Sequence, residues 1–430
     1  MVNGMMHDYS ERIEYALAKT QTHAQTAQAE VFLGANNLLT IRSAVGKVLE
    51  SKIIQDAGLG IRILTKDAGL GFSSTCDFSD QALDKAIREA LAIAKYRKVD
   101  SNYSFATPQT TNRTFTHYDK KLVETIHDYT DINAQVNQMI VETLDKDAAI
   151  TEAAGPTHLV EYSKNVMNTN GVDVAEKGTF WKIELMAIAE SATDRREGSH
   201  SSSGYALNEI ETASLSDHAA DMAVRALDGQ KVEAGTYEMI FSSMSVSTLL
   251  GWLGYVMVPQ NQERNMPLLK DKIGEQIAFE GVTMGHDPLR VSSPVSGAYD
   301  DEGVPTRDIA LIKDGVHREI PLDTYYATGL NTQSNGNAYR SQAGSGMTSY
   351  PGQLYQSEPL PLLPAVYMEG GTSSIDEMIA STQKGIYLVF LHYAYITNGG
   401  TGDYTGILRQ GTFLIENGEI TVPIQKCRLL

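Results

Sequence analysis

The side chains that bear most directly on chemistry in this sequence are its histidines. There are ten: His7, His23, His117, His127, His158, His200, His218, His286, His317 and His392. None is followed by glutamate, and no two lie three to five residues apart. Zinc hydrolysis on a helix needs two imidazoles about one turn apart to grip the ion, and a glutamate beside the first to move a proton. That HExxH or HExxxH pattern is absent. So are the GxxxxGK[ST] loop that cradles phosphates and the GxSxG turn that exposes a nucleophilic serine. What remains is a scattered set of donors, His286, His392, Asp301 and Cys427, from which a self-sufficient hydrolase with unrecognised ligands would have to be built. Taken singly, His286 sits in a Gly-His-Asp-Pro turn and His392 in a strand-like run from Ile386 to Tyr395. Cys427 reads as a small hydrophobe.

Other groupings have two readings each. Asp300-Asp301-Glu302 before Gly303 offers oxygen ligands of the kind that hold a cation, and the reading adopted for it is a solvated turn. Gly399 to Asp403 offers backbone N–H groups to an anion but has no following lysine, and reads as a tight loop. Tyrosine is abundant, with 21 residues. Tyr325, Tyr326, Tyr339, Tyr350 and Tyr355 fall in the second half. Each ring brings apolar area and a hydroxyl, which suits an extended peptide and equally suits packing on a sheet.

The elements that must position these residues follow from hydrophobic period and turn residues. A helix is expected over 8–19, with Ile13, Ala16 and Leu17 inward. Strands are expected at 29–33 and 38–42, and an extended stretch at 45–54. A hairpin joins 58–64 to 69–72. Ser79 caps a helix whose Ala82, Leu83, Ala86, Ile87, Ala90, Leu91 and Ala94 form one stripe. Residues 98–115 read as loop, 119–144 as one long helix, and 157–169 and 172–189 as strands. The Ser- and Gly-rich stretch 193–204 reads as mobile. A helix over 216–227 precedes a boundary at 230–235. Beyond it come a strand at 237–241, a buried helix at 245–258, and short strands punctuated by glycine. One helix interrupts them, opening on the capping box from Ser374 to Glu377 and stopping at Gly385. The expected class is α+β. An N-terminal α/β domain with a mixed sheet and helices covers 1–229, and a mostly antiparallel, barrel-like β domain covers 230–430.

Composition bounds the rest. The 430 residues are 42% hydrophobic and 20% charged, ordinary for a globular chain with a sizeable core. The formal net charge of −18 makes a duplex nucleic acid a poor partner, because counterion displacement needs a basic face. Two cysteines, Cys76 and Cys427, form neither a disulfide framework nor a thiolate knuckle. The longest nearly apolar run, Leu249 to Val258, is about half of the ~20 residues a membrane span needs. The first nine residues lack a basic stretch leading into an apolar one. A cytoplasmic protein without a membrane anchor is expected.

Several short stretches, weak singly, gain weight from their order along the chain. They are Gly58 to Arg62 (GLGIR), Gly71 to Thr75 (GFSST) and the helix over 79–95, then Asp300 to Thr306 (DDEGVPT) and Leu311 to Gly315 (LIKDG). Leu322 to Tyr325 (LDTY), Asn335 to Arg340 (NGNAYR), Thr401 to Tyr404 (TGDY) and Phe413 to Ile420 (FLIENGEI) complete the series. Together they resemble the TldD/PmbA family of peptide-processing metalloprotease systems. In the TldD-like branch a helix after the strand that opens the second domain carries HExxxH. Here the corresponding places hold Gly251, Trp252 and Val256. The chain therefore resembles the TldE/PmbA branch, the partner without its own metal site. The resemblance implies no cofactor in this chain, zinc in a TldD-like HExxxH subunit with which it forms a heterodimer, and an unfolded peptide as substrate. It also brings an alternative, a regulatory binding protein of the gyrase-modulator type. No catalytic or metal-binding residue is expected in this chain; the residues expected to touch peptide are Tyr325, Asn335, Asn337, Tyr339, His392 and Asp403. The chain stops at Leu430, soon after Ile420, so its last sheet edge is expected to differ from the family's.

Overall fold

In a computed structural model, residues 9–290, 292–293, 295–341 and 352–429 are described. Alternation along the first long strand, β1 (Thr26–Ala44), accounts for the architecture. Val31, Leu33, Leu39 and Ile41 are buried on one of its faces, while Glu30 and Phe32 are buried on the other. A strand covered on both faces needs a layer on each side. β1 lies inside a six-stranded sheet with β2 (Lys47–Thr65), β3 (Leu70–Thr75), β4 (Ile150–Asn168), β5 (Asp173–Glu190) and β6 (Arg195–Gly204), ordered β3-β2-β1-β4-β5-β6.

One face carries helices. α1 (Ser10–Gln21) and α2 (Asp80–Ala94) cover Val31, Leu33, Leu59, Ile61 and Ile63. The side chain of Ser79 caps α2 by accepting from the N–H of Ala82. α3 (Lys120–His127), α4 (Thr130–Leu144) and α5 (Thr212–Arg225) cover Leu39, Ile41, Leu159, Trp181 and Ile183. The opposite face receives the second half of the chain: Phe32, Val166 and Val172 pack with Val295, Val304, Tyr339 and Tyr355.

That second half opens with β7 (Glu238–Phe241), α6 (Ser243–Met257) and α7 (Pro259–Arg264). β8 (Met284–His286), β9 (Ile309–Lys313), β10 (Val316–His317), α8 (Thr324–Gly329), β11 (Ala338–Tyr339), β12 (Leu360–Pro361) and β13 (Val366–Met368) follow. α9 (Ile375–Ser381), β14 (Lys384–Asn398), β15 (Asp403–Glu416), β16 (Glu419–Pro423) and β17 (Cys427–Leu429) end it. Its sheets run β10-β9-β8-β13, β11-β12 and β16-β15-β14-β7, with β17 also on β15.

The α+β class holds, with three refinements. The first sheet is antiparallel at every pairing rather than mixed. Among the described residues the sheets of the second half stay open and form no closed barrel, with β7 parallel to β14 and an isolated parallel bridge between Gln230 and Ile424. The four strand-like stretches before residue 65 are two 19-residue strands. They turn at Val45-Gly46, where φ is +52° and +74°, a two-residue hairpin turn that matches strand twist.

Three boundaries differ from expectation. The helix over 119–144 breaks in two at Asp128, whose carboxylate accepts from Thr130 Oγ1 at 2.9 Å. Gly385 lies inside β14 against Glu238 rather than ending a helix. Residues 195–204 are the paired edge strand β6, not a mobile loop. Small residues there serve close packing, because a Cβ on Gly198 would collide with the backbone of α5 at Ala219 and Ala223. Among the described residues, no helix is long and apolar enough to cross a membrane.

Candidate functional site

A wide concavity follows from how β7 hands the chain to α6. β7 pairs with β14 only over Gly385–Leu388, and the chain then turns away as α6. Ser242 and Ser245 fasten that turn. Ser242 Oγ donates to the Val389 carbonyl at 2.6 Å and Ser245 Oγ to the Leu388 carbonyl at 2.9 Å. From Phe390 to Asn398, no described strand pairs with this edge of β14. A cavity of about 930 Å³ opens between that edge, the outward side of α6 and the segment Leu362–Pro364.

The cavity walls are apolar and aromatic: Trp252 and Tyr255 from α6, Leu363, and Phe390, Tyr393 and Tyr395 from β14. A bulge sets the β14 side chains. His392 pairs with Ile407 and Tyr395 with Thr405, so two residues of β14 face one of β15. Tyr393, at the bulge, has φ +45° and is 73% exposed. His392 lies edge-on to Tyr393, ring centroids 4.2 Å apart. Its Nδ1 is buried without a hydrogen-bond partner among the described residues. Burial, then the neighbouring Arg409, holds the imidazole below its ordinary value, so it is neutral near pH 7.

α6 does not fit a zinc ion. Gly251 has no side chain, Trp252 presents an indole, and Val256 is buried in the core beneath the helix. His392 is the single imidazole on the cavity among the described residues. Among the described residues no group of three or more His, Cys, Asp or Glu side chains is placed to hold a metal. The alternative donor set is not gathered either. His286 is fully buried on β8, Asp301 is committed to Lys164 and Arg340, and Cys427 lies on β17.

Asp300-Asp301-Glu302 overturns the solvated-turn expectation: all three are buried. The reason lies far away in sequence, where β2 and β4 supply opposite charges, Arg62 and Lys164, from the second face of the first sheet. Glu302 Oε1 accepts from Arg62 Nη2 at 3.0 Å, and its Oε2 accepts from Thr324 N and Oγ1. Arg62 and Arg340 share Glu30. Asp301 accepts from Lys164 Nζ at 3.2 Å and from the Arg340 N–H at 2.7 Å. Asp300 accepts from the N–H groups of Glu302, Val304 and Ala338. Burial opposes the charge on Arg62, yet Glu30 and Glu302 together hold it above its ordinary value. Burial, then Glu302, pushes the Asp323 carboxyl up to about 7.

Of the six expected peptide contacts, only His392 is on the cavity. Asn335 binds the backbone at Leu322 and Ile320, and Asn337 donates to Asn335. Tyr339 is fully buried in the joint between the halves. Tyr325 donates to Asp100 at 2.9 Å and lines a second, polar cavity of about 260 Å³ with Arg62, Tyr326 and Glu302. Asp403 is exposed at the start of β15, and Tyr350 lies outside the described residues. The aromatic residues of α6 and β14 escaped the sequence reading, because Leu249 to Val256 read as core. The signal available was the non-helical run of aromatics from Phe390 to Tyr395.

Sequence models of one family match the chain in three consecutive segments. They are described as PmbA/TldA metallopeptidase domain 1 (residues 29–94), central domain (128–227) and C-terminal domain (234–430). The first two segments contribute strands to the same six-stranded sheet. Metalloprotease PmbA of Escherichia coli is 23% identical over 93% of this chain and 83% of its own length. A metalloprotease TldD homolog of Haemophilus influenzae is 25% identical over 66% of this chain and 58% of its own length. The crystal structure of TldE from Thermococcus kodakarensis superposes with a TM-score of 0.80 at 21% identity, covering 95% of this chain and 89% of that one. A putative modulator of DNA gyrase from Bacteroides thetaiotaomicron superposes at 0.82 with 20% identity, covering 98% and 90%. With three family segments in order along one chain, this protein belongs to the PmbA/TldD metallopeptidase family.

Proposed function

We propose that this chain is the non-catalytic subunit of a two-chain peptidase of the TldD/TldE kind, and that its cavity between α6 and β14 holds an extended, unfolded peptide. One observation carries the reading. The helix that heads the cavity presents Gly251 and Trp252 and no metal ligand, while the free edge of β14 opens onto about 930 Å³ of apolar space. A free strand edge recognises peptide backbone by adding a strand, and apolar pockets beside it take alternate side chains. Neutral His392 adds one polar group without a charge to desolvate. Activation of water by zinc is assigned to an HExxxH partner subunit.

The test is a peptide-degradation assay with this chain alone, a TldD-like HExxxH chain alone, and both mixed, with and without chelator. Chelator-sensitive cleavage is expected only from the mixture. Cleavage by this chain alone, abolished by changing one of its own His, Asp or Cys residues, would overturn the reading. Full activity of the HExxxH chain without this one would remove the need for it.

A further inference from the structure

A third, smaller cavity sits behind β14, on the far side of β15, where the first sheet meets the second half. It measures about 180 Å³ and is lined by the N-terminal end of β6, the bulge of β15 and the segment after β16. That is well below the roughly 300–1,000 Å³ of sites for drug-sized ligands, and suits a small ion with a few waters. Four cationic side chains line it, Arg195, Arg196, Arg409 and Lys426, against one carboxylate, Glu197. Arg195, Arg196 and Arg409 are paired with carboxylates, which leaves Lys426 as the cation here without an ion pair among the described residues.

Hydrogen bonding decides what the cavity can accept. Glu197 is fully committed: Oε1 pairs with Arg409 and Oε2 accepts from Gln410 Nε2 at 2.8 Å. Asp194 takes only Nε of Arg196 at 2.7 Å, and both terminal nitrogens of that guanidinium have no partner among the described residues. Arg195 is held by Glu152 and Glu190. Lys426 is exposed and makes no ion pair among the described residues. Two polar atoms are buried here without partners among the described residues, Thr412 Oγ1 and Gln410 Oε1, and Thr412 is 4% exposed. A carboxylate only accepts hydrogen bonds, so Glu197 fixes the Gln410 amide with Nε2 toward it and Oε1 away. The cavity therefore offers cations and a hydroxyl to an anion, but also a fixed acceptor that needs a donor.

We propose that this cavity is a site for inorganic phosphate, which the cations and Thr412 hold by its charged oxygens while its remaining P–OH donates to Gln410. Near pH 7 inorganic phosphate always keeps at least one proton, whereas sulfate keeps none. Guanidinium groups match the oxyanion geometry, and the buried acceptor supplies the selectivity. The ligand touches β6 of the first sheet and β15 of the second half together, so its binding tightens the joint between them. Arg409 also lies opposite Phe390 in the β14–β15 ladder, which puts the ion one strand behind the aromatic wall of the larger cavity.

Isothermal titration of the full chain at pH 7 and constant ionic strength tests this, with inorganic phosphate, sulfate and chloride as separate titrants. Phosphate is expected to bind saturably at one site per chain and at least tenfold more tightly than sulfate, with chloride silent. Lys426→Gln combined with Arg196→Gln, both away from the core, should weaken phosphate at least tenfold. Thr412→Val should weaken both oxyanions, and Gln410→Glu, whose second oxygen would face the anion, should abolish binding. Phosphate binding no tighter than sulfate, or undiminished in the Lys426→Gln and Arg196→Gln double variant, would overturn the proposal.

Discussion

Asp323 offers the sharpest test of the buried ionic layer. Its Oδ1 caps α8 by accepting from the Tyr326 N–H at 2.9 Å, and it is 5% exposed beside Glu302. Burial, then that neighbour, lifts its carboxyl from 3.8 to about 7. Between those values the folded chain keeps a proton that the unfolded chain releases. Stability from this group is therefore fully present below 3.8 and is lost as pH rises to about 7, beyond which the loss levels off. Each unit is worth about 1.36 kcal/mol, so from pH 5 to pH 8 the wild type should lose roughly 2–3 kcal/mol through Asp323 and the carboxylate beside it. Asp323→Asn cannot ionise, and asparagine is as good an N-cap as aspartate. Its stability should lack this decline, so its advantage over wild type should widen by that amount across the range. Urea unfolding of both proteins at pH 5, 6, 7 and 8, followed by tryptophan fluorescence, measures the difference. Parallel curves, or a gap that narrows with pH, would refute the assignment of the proton to Asp323.

Gly58→Ala should destabilise by about 1–3 kcal/mol in calorimetry, because the added methyl meets the ring of Tyr355, whose hydroxyl is held by Asp56 at 3.0 Å. Trp252→Ala, on a half-buried cavity wall, should weaken a fluorescent extended peptide about tenfold in an anisotropy titration while leaving the melting midpoint nearly unchanged. Limited trypsin digestion should cut at exposed Lys270, in the loop that includes left-handed Asp271, before it cuts at Arg195 or Arg196 in the paired strand β6. First cuts at Arg195 or Arg196 would show that β6 frays from β5.

Local signals carried the elements and long-range charge carried the surprises. The stripe from Leu83 to Ala94, the caps at Ser79 and Ser374, and the hairpin over 58–72 are written in neighbouring residues, and each is present. The six-stranded order was not legible, because one strand cannot announce which distant strand it joins. Asp300 to Glu302 read as solvent-facing for the same reason: nothing near them in sequence supplies Arg62, Lys164 or Arg340. The β6 error had a different origin. Serine and glycine usually mark loops, but here small side chains let α5 approach the sheet. The cavity was partly legible: α6 was expected, but Trp252 and Tyr255 on it turn out to line a groove.

The joint between the halves has a bearing on how the chain is made. Arg62 meets Glu302 across 240 residues, and Arg340 meets Glu30 across 310. Contacts that close loops this long form late, after the local hairpins and helices. During synthesis the first sheet emerges and folds while its partner face is still unmade. Were that waiting face wholly apolar, it would invite other nascent chains. With Glu30, Arg62 and Lys164 set among Phe32 and Val166, it stays hydrated until the second half arrives, and its charges are then dehydrated only against matched partners. The same residues that fasten the finished protein leave the waiting face of its first half charged rather than wholly apolar.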